Sequence, residues 1–175
     1  MVSTWRRARW PSAFRLPGTE CGPCIITPSR LAARLAVSKA EAVAAGAPDA
    51  VVLAADTVVA VGRRLLEKPA DEAEAVRFLK LLSGRNHRVF TGVAVTAGVR
   101  TLHRVVDTRV SFKVLSDLEI AAYVASGEWR GKAGGYGIQG RAGAFVTRLV
   151  GSYPAVMGLP LFETINLLNG AGWRP

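Results

Sequence analysis

An aspartate inside an apolar segment is the residue of this sequence that points most clearly to chemistry. Asp56 lies in the run AVVLAADTVVAV, residues 50–61, whose only other polar member is Thr57. A carboxylate in such surroundings needs a cation, a metal ion or specific hydrogen bonds. Perturbed carboxylates cluster at functional sites, so we expect Asp56 to face a cleft at a strand end and to orient water or hold a divalent ion. The structural alternative is an Asp-Thr turn between two separate strands.

Two lysines are candidates for binding phosphate. Lys68 is followed by Pro69 and by a predicted helix that begins near Asp71. A lysine fixed just before a helix N-terminus suits an anion site, although a single lysine is more often simply solvated. Lys39, on an earlier predicted helix, has the same two interpretations.

A glycine-rich loop spans residues 131–143 and contains six glycines. It includes the pattern GxGxxG, but no strand precedes it and a strand rather than a helix follows, so it does not match a dinucleotide-binding fingerprint. Glycine-rich backbone lets a ligand approach closely, and Lys132, Gln139 and Arg141 offer polar contacts. The loop is either a binding loop, in which Gln139 reads the edge of a base, or a flexible hinge.

Other motifs carry less weight. The tetrad Cys21-Gly-Pro-Cys24 has the composition of a redox site, but no strand leads into it, which favours coincidence. Neither His87 nor His103 has the acidic or cysteine neighbours of a zinc site. No GxSxG elbow is present, so hydrolases of the serine and zinc types are disfavoured.

The periodicity predicts an α/β domain with a mixed sheet and flanking helices. Thr27-Pro28 and the capping boxes at Asp71 and Ser116 mark three helix starts. The predicted elements are a helix over 29–45, a strand over 50–61, a helix over 71–83, strands over 88–96 and 101–114, a helix over 116–127, a strand over 144–150 and a helix over 159–168.

Length and charge narrow the class of protein. The chain has 175 residues and a formal charge of +10, from 18 arginines and five lysines against 13 acids. Such a length suits one domain with a real core, and no apolar run reaches the ~20 residues of a membrane span. Without a secretory pattern at the N-terminus, a soluble cytoplasmic protein is expected. A basic surface attracts polyanions, but the sparse aromatics disfavour a base-stacking nucleic-acid platform.

The same segments, in this order, resemble the Maf family of nucleoside triphosphate pyrophosphatases over residues 28–170. KAGGYGIQG, residues 132–140, is similar to the loop of the subgroup that acts on dTTP and UTP. The other matching stretches are RLAVSKAEAV (34–43), AADTVV (54–59), LEKP (66–69), LSGRNHRVFTGVAV (82–95), VVDTRVSF (105–112), YVASGEW (123–129) and GSYPAVMGLPL (151–161).

This resemblance implies an α/β fold with a deep nucleotide cleft, of the Maf and inosine-triphosphatase type. It implies hydrolysis of the α–β phosphoanhydride of a pyrimidine nucleotide, a divalent cation such as Mg²⁺ or Mn²⁺, and a homodimer. Asp56 matches the catalytic base and a metal ligand of the family. Thr57 and Gln139 match its specificity positions, and Lys39 and Lys68 its phosphate-side lysines.

The sequence departs from the family at its start. Family members open with a strand and the phosphate loop S-x-S-P-R-R, whereas Thr4-Trp5-Arg6-Arg7 keeps only the double arginine. Glu20 is the acid available for the family's second metal ligand. We therefore expect a divergent segment over residues 1–28 and the nucleotide domain over 29–175. The alternatives are a nucleotide-binding protein without catalysis and a basic nucleic-acid-binding module that uses the N-terminal arginines Arg6, Arg7, Arg9 and Arg15.

Overall fold

The computed structural model describes residues 26–174, which form a five-stranded sheet with helices packed on both faces. This confirms the α/β class with flanking helices. The elements are α1 (Pro28–Ala44), β1 (Val51–Val61), β2 (Arg64–Leu66), α2 (Glu72–Leu82), β3 (Asn86–Ala97), β4 (Arg100–Phe112), α3 (Asp117–Ala125), β5 (Val146–Val150), α4 (Tyr153–Met157) and α5 (Leu161–Gly170), with 3₁₀ turns at Ala133–Gly135 and Arg141–Phe145.

The strand order is β2-β1-β3-β4-β5, and every pairing between residues 51 and 150 is antiparallel. The sequence predicted a mixed sheet, and the strands described here include no parallel pair. Tight turns explain two of the four pairings, because Gly62 and Gly98 have φ values of 58° and 57° and reverse the chain directly. Parallel pairing would instead need a long crossover connection.

β1 is one continuous strand, and its two edges differ. On the inner side it pairs with β3 from Val51 to Ala60, whereas on the outer side it pairs with β2 only over Val59–Val61. Over positions 51–58 it therefore has a single partner among the described strands. Asp56, opposite Gly92 of β3, lies in the middle of this strand. Both the turn alternative and the expected placement at a strand end are thus wrong.

α1 lies unusually close to β3, because small residues meet at the contact. Three alanines four residues apart face the sheet with no exposed surface, and a Cβ on Gly92 would lie only 2.3 Å from the carbonyl oxygen of Ala32. The helix begins as predicted, with Pro28 in its first turn and Thr27 accepting from the N–H of Arg30 at 3.3 Å. The buried alanines are Ala32, Ala36 and Ala40.

The remaining helices follow their capping residues. Ser116 and Glu119 form the complete capping box predicted for α3. At α2, Asp71 accepts from the N–H of Glu74, but the Glu74 carboxylate accepts from Ala70 rather than from Asp71. The short elements β2 and α4 were not predicted. No helix in residues 26–174 combines the length and hydropathy needed to cross a membrane.

Candidate active site

A cleft of ≈ 540 Å³ opens where the outer edge of β1 is left uncovered by β2. Its walls come from α1, the middle of β1, the segment after β2, the glycine-rich loop and the end of α4. Six of the predicted site residues line it: Lys39, Asp56, Thr57, Lys68, Lys132 and Gln139. Arg141, the remaining candidate of the loop, does not line the cleft and instead lies 3.6 Å from the Glu128 carboxylate. Arg6, Arg7, Glu20 and the Cys21–Cys24 tetrad lie outside the described residues.

Asp56 projects toward α1, where it meets a cation. Lys39 Nζ donates to Asp56 Oδ1, and the side chains of Lys39 and Asp56 are 30% and 18% exposed. This ion pair supplies the partner that a carboxylate in an apolar strand requires. Asp56 also lines the cleft, so water or a ligand can reach the exposed part of its side chain.

Lys68 lines the cleft, but not through the helix N-terminus expected from the sequence. The carboxylates of Asp71 and Glu74 already accept from N–H groups at the start of α2. Their negative charge opposes the binding of an anion at that end of the helix. Lys68 therefore offers the cleft a cation without help from α2, and the neighbouring Glu67 lines the cleft beside it.

The glycine-rich loop is packed against β1 and β2. Gly134, with φ at 73°, donates to the carbonyl of Glu67 at 2.9 Å, and a Cβ at Gly134 would lie 3.0 Å from Val59. The backbone approaches this closely because no side chain intervenes. This packing brings Lys132 and Gln139 to the cleft and favours the binding-loop interpretation over the hinge.

Buried polar side chains hold the loop from beneath. The hydroxyl of Tyr136 lies 2.7 Å from His87 Nε2, and the hydroxyl of Tyr123 accepts from the N–H of Gly137 at 3.1 Å. Burial lowers the pKa of His87 to about 4 and raises the pKa of Tyr136, so both side chains are neutral near pH 7. Sequence reasoning missed these supports, because isolated histidines and tyrosines carry no local signal of such pairing.

The end of α4 and the residue after it form another wall of the cleft. Thr57 Oγ1 lies 3.0 Å from Thr91 Oγ1, which donates to the carbonyl of Ala155 at 2.7 Å. Gly158, just after α4, lies beside Thr57 and lines the cleft. A serine two residues before a proline is a sequence signal for a helix start that could have located α4. In the structure Ser152 is the N-cap residue and accepts from the N–H of Ala155.

The donor set at the cleft fits a divalent cation that is shared with a phosphorylated ligand. Residues 26–174 contain no group of three or more His, Cys, Asp and Glu side chains able to hold a metal by themselves. Mg²⁺ is commonly bound by one or two carboxylates together with substrate phosphates. Asp56 and Glu67 provide carboxylate oxygens at the cleft, and the three lysines there would meet the phosphates.

Comparison with known proteins identifies the family of this chain. The family model of Maf-like proteins matches residues 20–171. The chain is 64% identical over 150 residues to the dTTP/UTP pyrophosphatase of Caulobacter vibrioides, covering 85% of this chain and 78% of that protein. It is 64% identical over 159 residues to the dTTP/UTP pyrophosphatase of Maricaulis maris, covering 90% and 73% respectively. The Rhizobium meliloti protein of the same name is 57% identical over 153 residues, covering 83% and 74%. The chain therefore belongs to the family of Maf-like proteins.

Proposed function

We propose that this protein is a hydrolase that converts nucleoside triphosphates, dTTP and UTP in particular, to the monophosphate and pyrophosphate. The observation that carries the proposal is a carboxylate, Asp56, set in one cleft with three lysines. A triphosphate needs such cations, and its hydrolysis needs a base for water. The names of the relatives support the choice of dTTP and UTP.

In the proposed reaction, the oxygen of a water molecule attacks the α-phosphorus while Asp56 accepts a proton from that water. The bond between the α-phosphorus and the bridging oxygen breaks, and pyrophosphate leaves with that oxygen. Lys39, Lys68 and Lys132 offset the charge that develops on the phosphate oxygens. A divalent cation held by Asp56 and the phosphates would supply further charge neutralisation. Glu20 is proposed as a further carboxylate for it besides Asp56 and Glu67, and Arg6 and Arg7 are proposed to contact phosphates.

Thr57 and Gln139 are proposed to bind the base. They line the cleft from two different elements, β1 and the glycine-rich loop, and both have polar side chains. Asn and Gln amides can donate and accept at once, which suits the alternating donors and acceptors of a pyrimidine edge. The phosphates would then extend toward the lysines.

The proposal includes the division of the chain into a divergent segment, residues 1–28, and a nucleotide domain, residues 29–175.

A homodimer is also proposed, supported by the exposed apolar side chains Leu161, Phe162 and Ile165 of α5. Light scattering after size exclusion tests it. We propose a cytoplasmic location, since that is where nucleoside triphosphates are made and used.

The decisive experiment is a panel of nucleoside triphosphates with Mg²⁺ or Mn²⁺, in which monophosphate and pyrophosphate are both identified. We expect release of pyrophosphate from dTTP and UTP, its loss with a chelator, and a fall of at least ~100-fold in Asp56→Asn, since general-base catalysis contributes about that much. Circular dichroism verifies that the variant is folded.

No release from any nucleotide by the folded protein would overturn the proposal. Thermal stabilisation by UTP without turnover would select the catalytically impaired alternative. Salt-dependent binding to nucleic acid that disappears when residues 1–20 are deleted would select the nucleic-acid-binding alternative.

A further inference from the structure

Two hydrogen-bonded hydroxyl groups determine whether Thr57 can donate or accept a hydrogen bond at the cleft. Thr91 is fully buried, and its Oγ1 lies 2.7 Å from the carbonyl oxygen of Ala155. A carbonyl oxygen can only accept, so the one hydroxyl proton of Thr91 is committed to Ala155. Thr57 Oγ1 lies 3.0 Å from Thr91 Oγ1, and the proton in that hydrogen bond must therefore come from Thr57. Toward the cleft, Thr57 then presents only lone pairs.

The carbonyl that sets this direction is itself held in place. Ala155 is buried in α4, and its carbonyl also accepts from the N–H of Gly158 at 2.9 Å. The start of α4 is tied to β4, because the N–H of Ser152 donates to Thr108 Oγ1 at 3.0 Å. Thr57 and Thr91 are direct neighbours in the register of β1 and β3. The polarity of Thr57 is thus a property of the packed sheet and helix.

We propose that Thr91 is a positioning residue that makes Thr57 an obligate hydrogen-bond acceptor, so that the cleft selects a base edge bearing a donor. In uracil and thymine N3 carries a hydrogen, whereas in cytosine N3 is an acceptor. A cytosine N3 facing Thr57 would leave two acceptors opposed and unsatisfied, which costs affinity. This inference rests on the proposed function, in that it places a pyrimidine against Thr57.

The test compares UTP with CTP in wild type and in Thr91→Val, which has nearly the same shape but no hydroxyl. In the variant the Thr57 hydroxyl can turn its proton toward the cleft and donate it to N3 of cytosine. We expect the ratio of kcat/KM for UTP to that for CTP to fall about tenfold. Thr91→Ser, which keeps the hydroxyl, should restore the ratio. UTP methylated at N3 should be a poor substrate for wild type.

Thr96→Val is the matched control. Thr96 lies on the same strand, is buried, and has its hydroxyl 3.1 Å from that of Thr101, away from the cleft. In Thr96→Val the ratio of kcat/KM for UTP to that for CTP should equal the wild-type ratio. An unchanged ratio in Thr91→Val, with equal losses for both nucleotides, would mean that Thr91 has only a structural role and would overturn the inference.

Calorimetric binding of UTP and CTP to Asp56→Asn, with and without Thr91→Val, separates this inference from the proposed function. A UTP preference that Thr91→Val abolishes supports the role of Thr91 even if no turnover is found, in which case only the proposed hydrolysis fails. Equal binding of UTP and CTP by the Asp56→Asn protein, or binding of neither, overturns the inference.

Discussion

Asp56 shows how an apolar strand accommodates a carboxylate that stays accessible to water and ligands. The ion pair with Lys39 satisfies one oxygen, and partial exposure at the cleft leaves the carboxylate accessible. A fully buried pair would be worth little to stability and would be unavailable to water. The open edge of β1 provides the intermediate environment, in which a charge is both compensated and reachable.

His87 gives a prediction at the scale of one residue. Burial lowers its pKa to about 4 in the folded protein, against about 6.5 in the unfolded chain. As the pH falls, the unfolded chain therefore binds the proton first. The contribution of neutral His87 to the free energy of unfolding is therefore fully present above pH 6.5 and is lost as the pH falls toward 4. The loss reaches about 3 kcal/mol.

The measurement is NMR of the two histidine rings from about pH 3 to pH 8, combined with urea unfolding at pH 7 and pH 4.5. One ring should titrate only near pH 4, and His103→Gln assigns the other, since His103 is exposed. Wild type should lose more stability on acidification than His87→Phe. Titration of the His87 ring near pH 6.5 would contradict the prediction.

At the scale of elements, the contact between α1 and β3 depends on Gly92. A Cβ there would lie 2.3 Å from the Ala32 carbonyl oxygen and 3.0 Å from the Ala33 nitrogen, both backbone atoms that cannot rotate away. Gly92→Ala should therefore push α1 from the sheet. We expect a loss of about 1–3 kcal/mol in the free energy of unfolding, measured by urea denaturation.

The same change should also lower activity, because α1 carries Lys39 to its position beside Asp56. Gly46→Ala is the control: Gly46 follows α1, has no positive φ, and its Cβ would meet nothing closer than 3.8 Å. It should leave both stability and activity near wild type. Equal stabilities for Gly92→Ala and wild type would show that the helix moves without cost.

At the scale of the whole molecule, the cleft couples ligand binding to stability. Its walls come from segments as far apart in sequence as Leu31 and Gly158, so a bound nucleotide would hold the fold together across most of the described chain. UTP with Mg²⁺, at 100 times its dissociation constant, should stabilise Asp56→Asn by about 2.7 kcal/mol. For a domain of this size that is a rise of roughly 5–10 °C in Tm.

Differential scanning fluorimetry measures this shift. Uridine, which lacks the phosphates that the three lysines would meet, is the matched ligand and should give a much smaller shift at equal concentration. Equal shifts for uridine and UTP would contradict the assignment of Lys39, Lys68 and Lys132 to phosphate binding.

The sequence by itself determined the features that depend on neighbours along the chain. Thr27, Asp71 and Ser116 are confirmed as N-cap residues, since capping uses residues two or three positions apart. The reciprocal half of the capping box predicted at Asp71 is wrong, because the Glu74 carboxylate accepts from Ala70 instead. The short elements were not predicted: β2 has three residues and too little periodicity to be detected, and α4, with five, is marked only by its capping residue Ser152 and by Pro154. Most of the cleft residues were candidates from their types and spacing, whereas Thr57 was assigned only through the resemblance to the Maf family.

Only the tertiary structure decided how those residues meet and what they present. The pairing of β1 with β3 over ten positions makes one strand of the run that contains Asp56, and the shortness of β2 opens its edge. The polarity of Thr57 depends on Thr91 and on Ala155, which are 34 and 98 positions further along the chain. Such properties arise from packing between distant segments, which no local pattern of residues encodes.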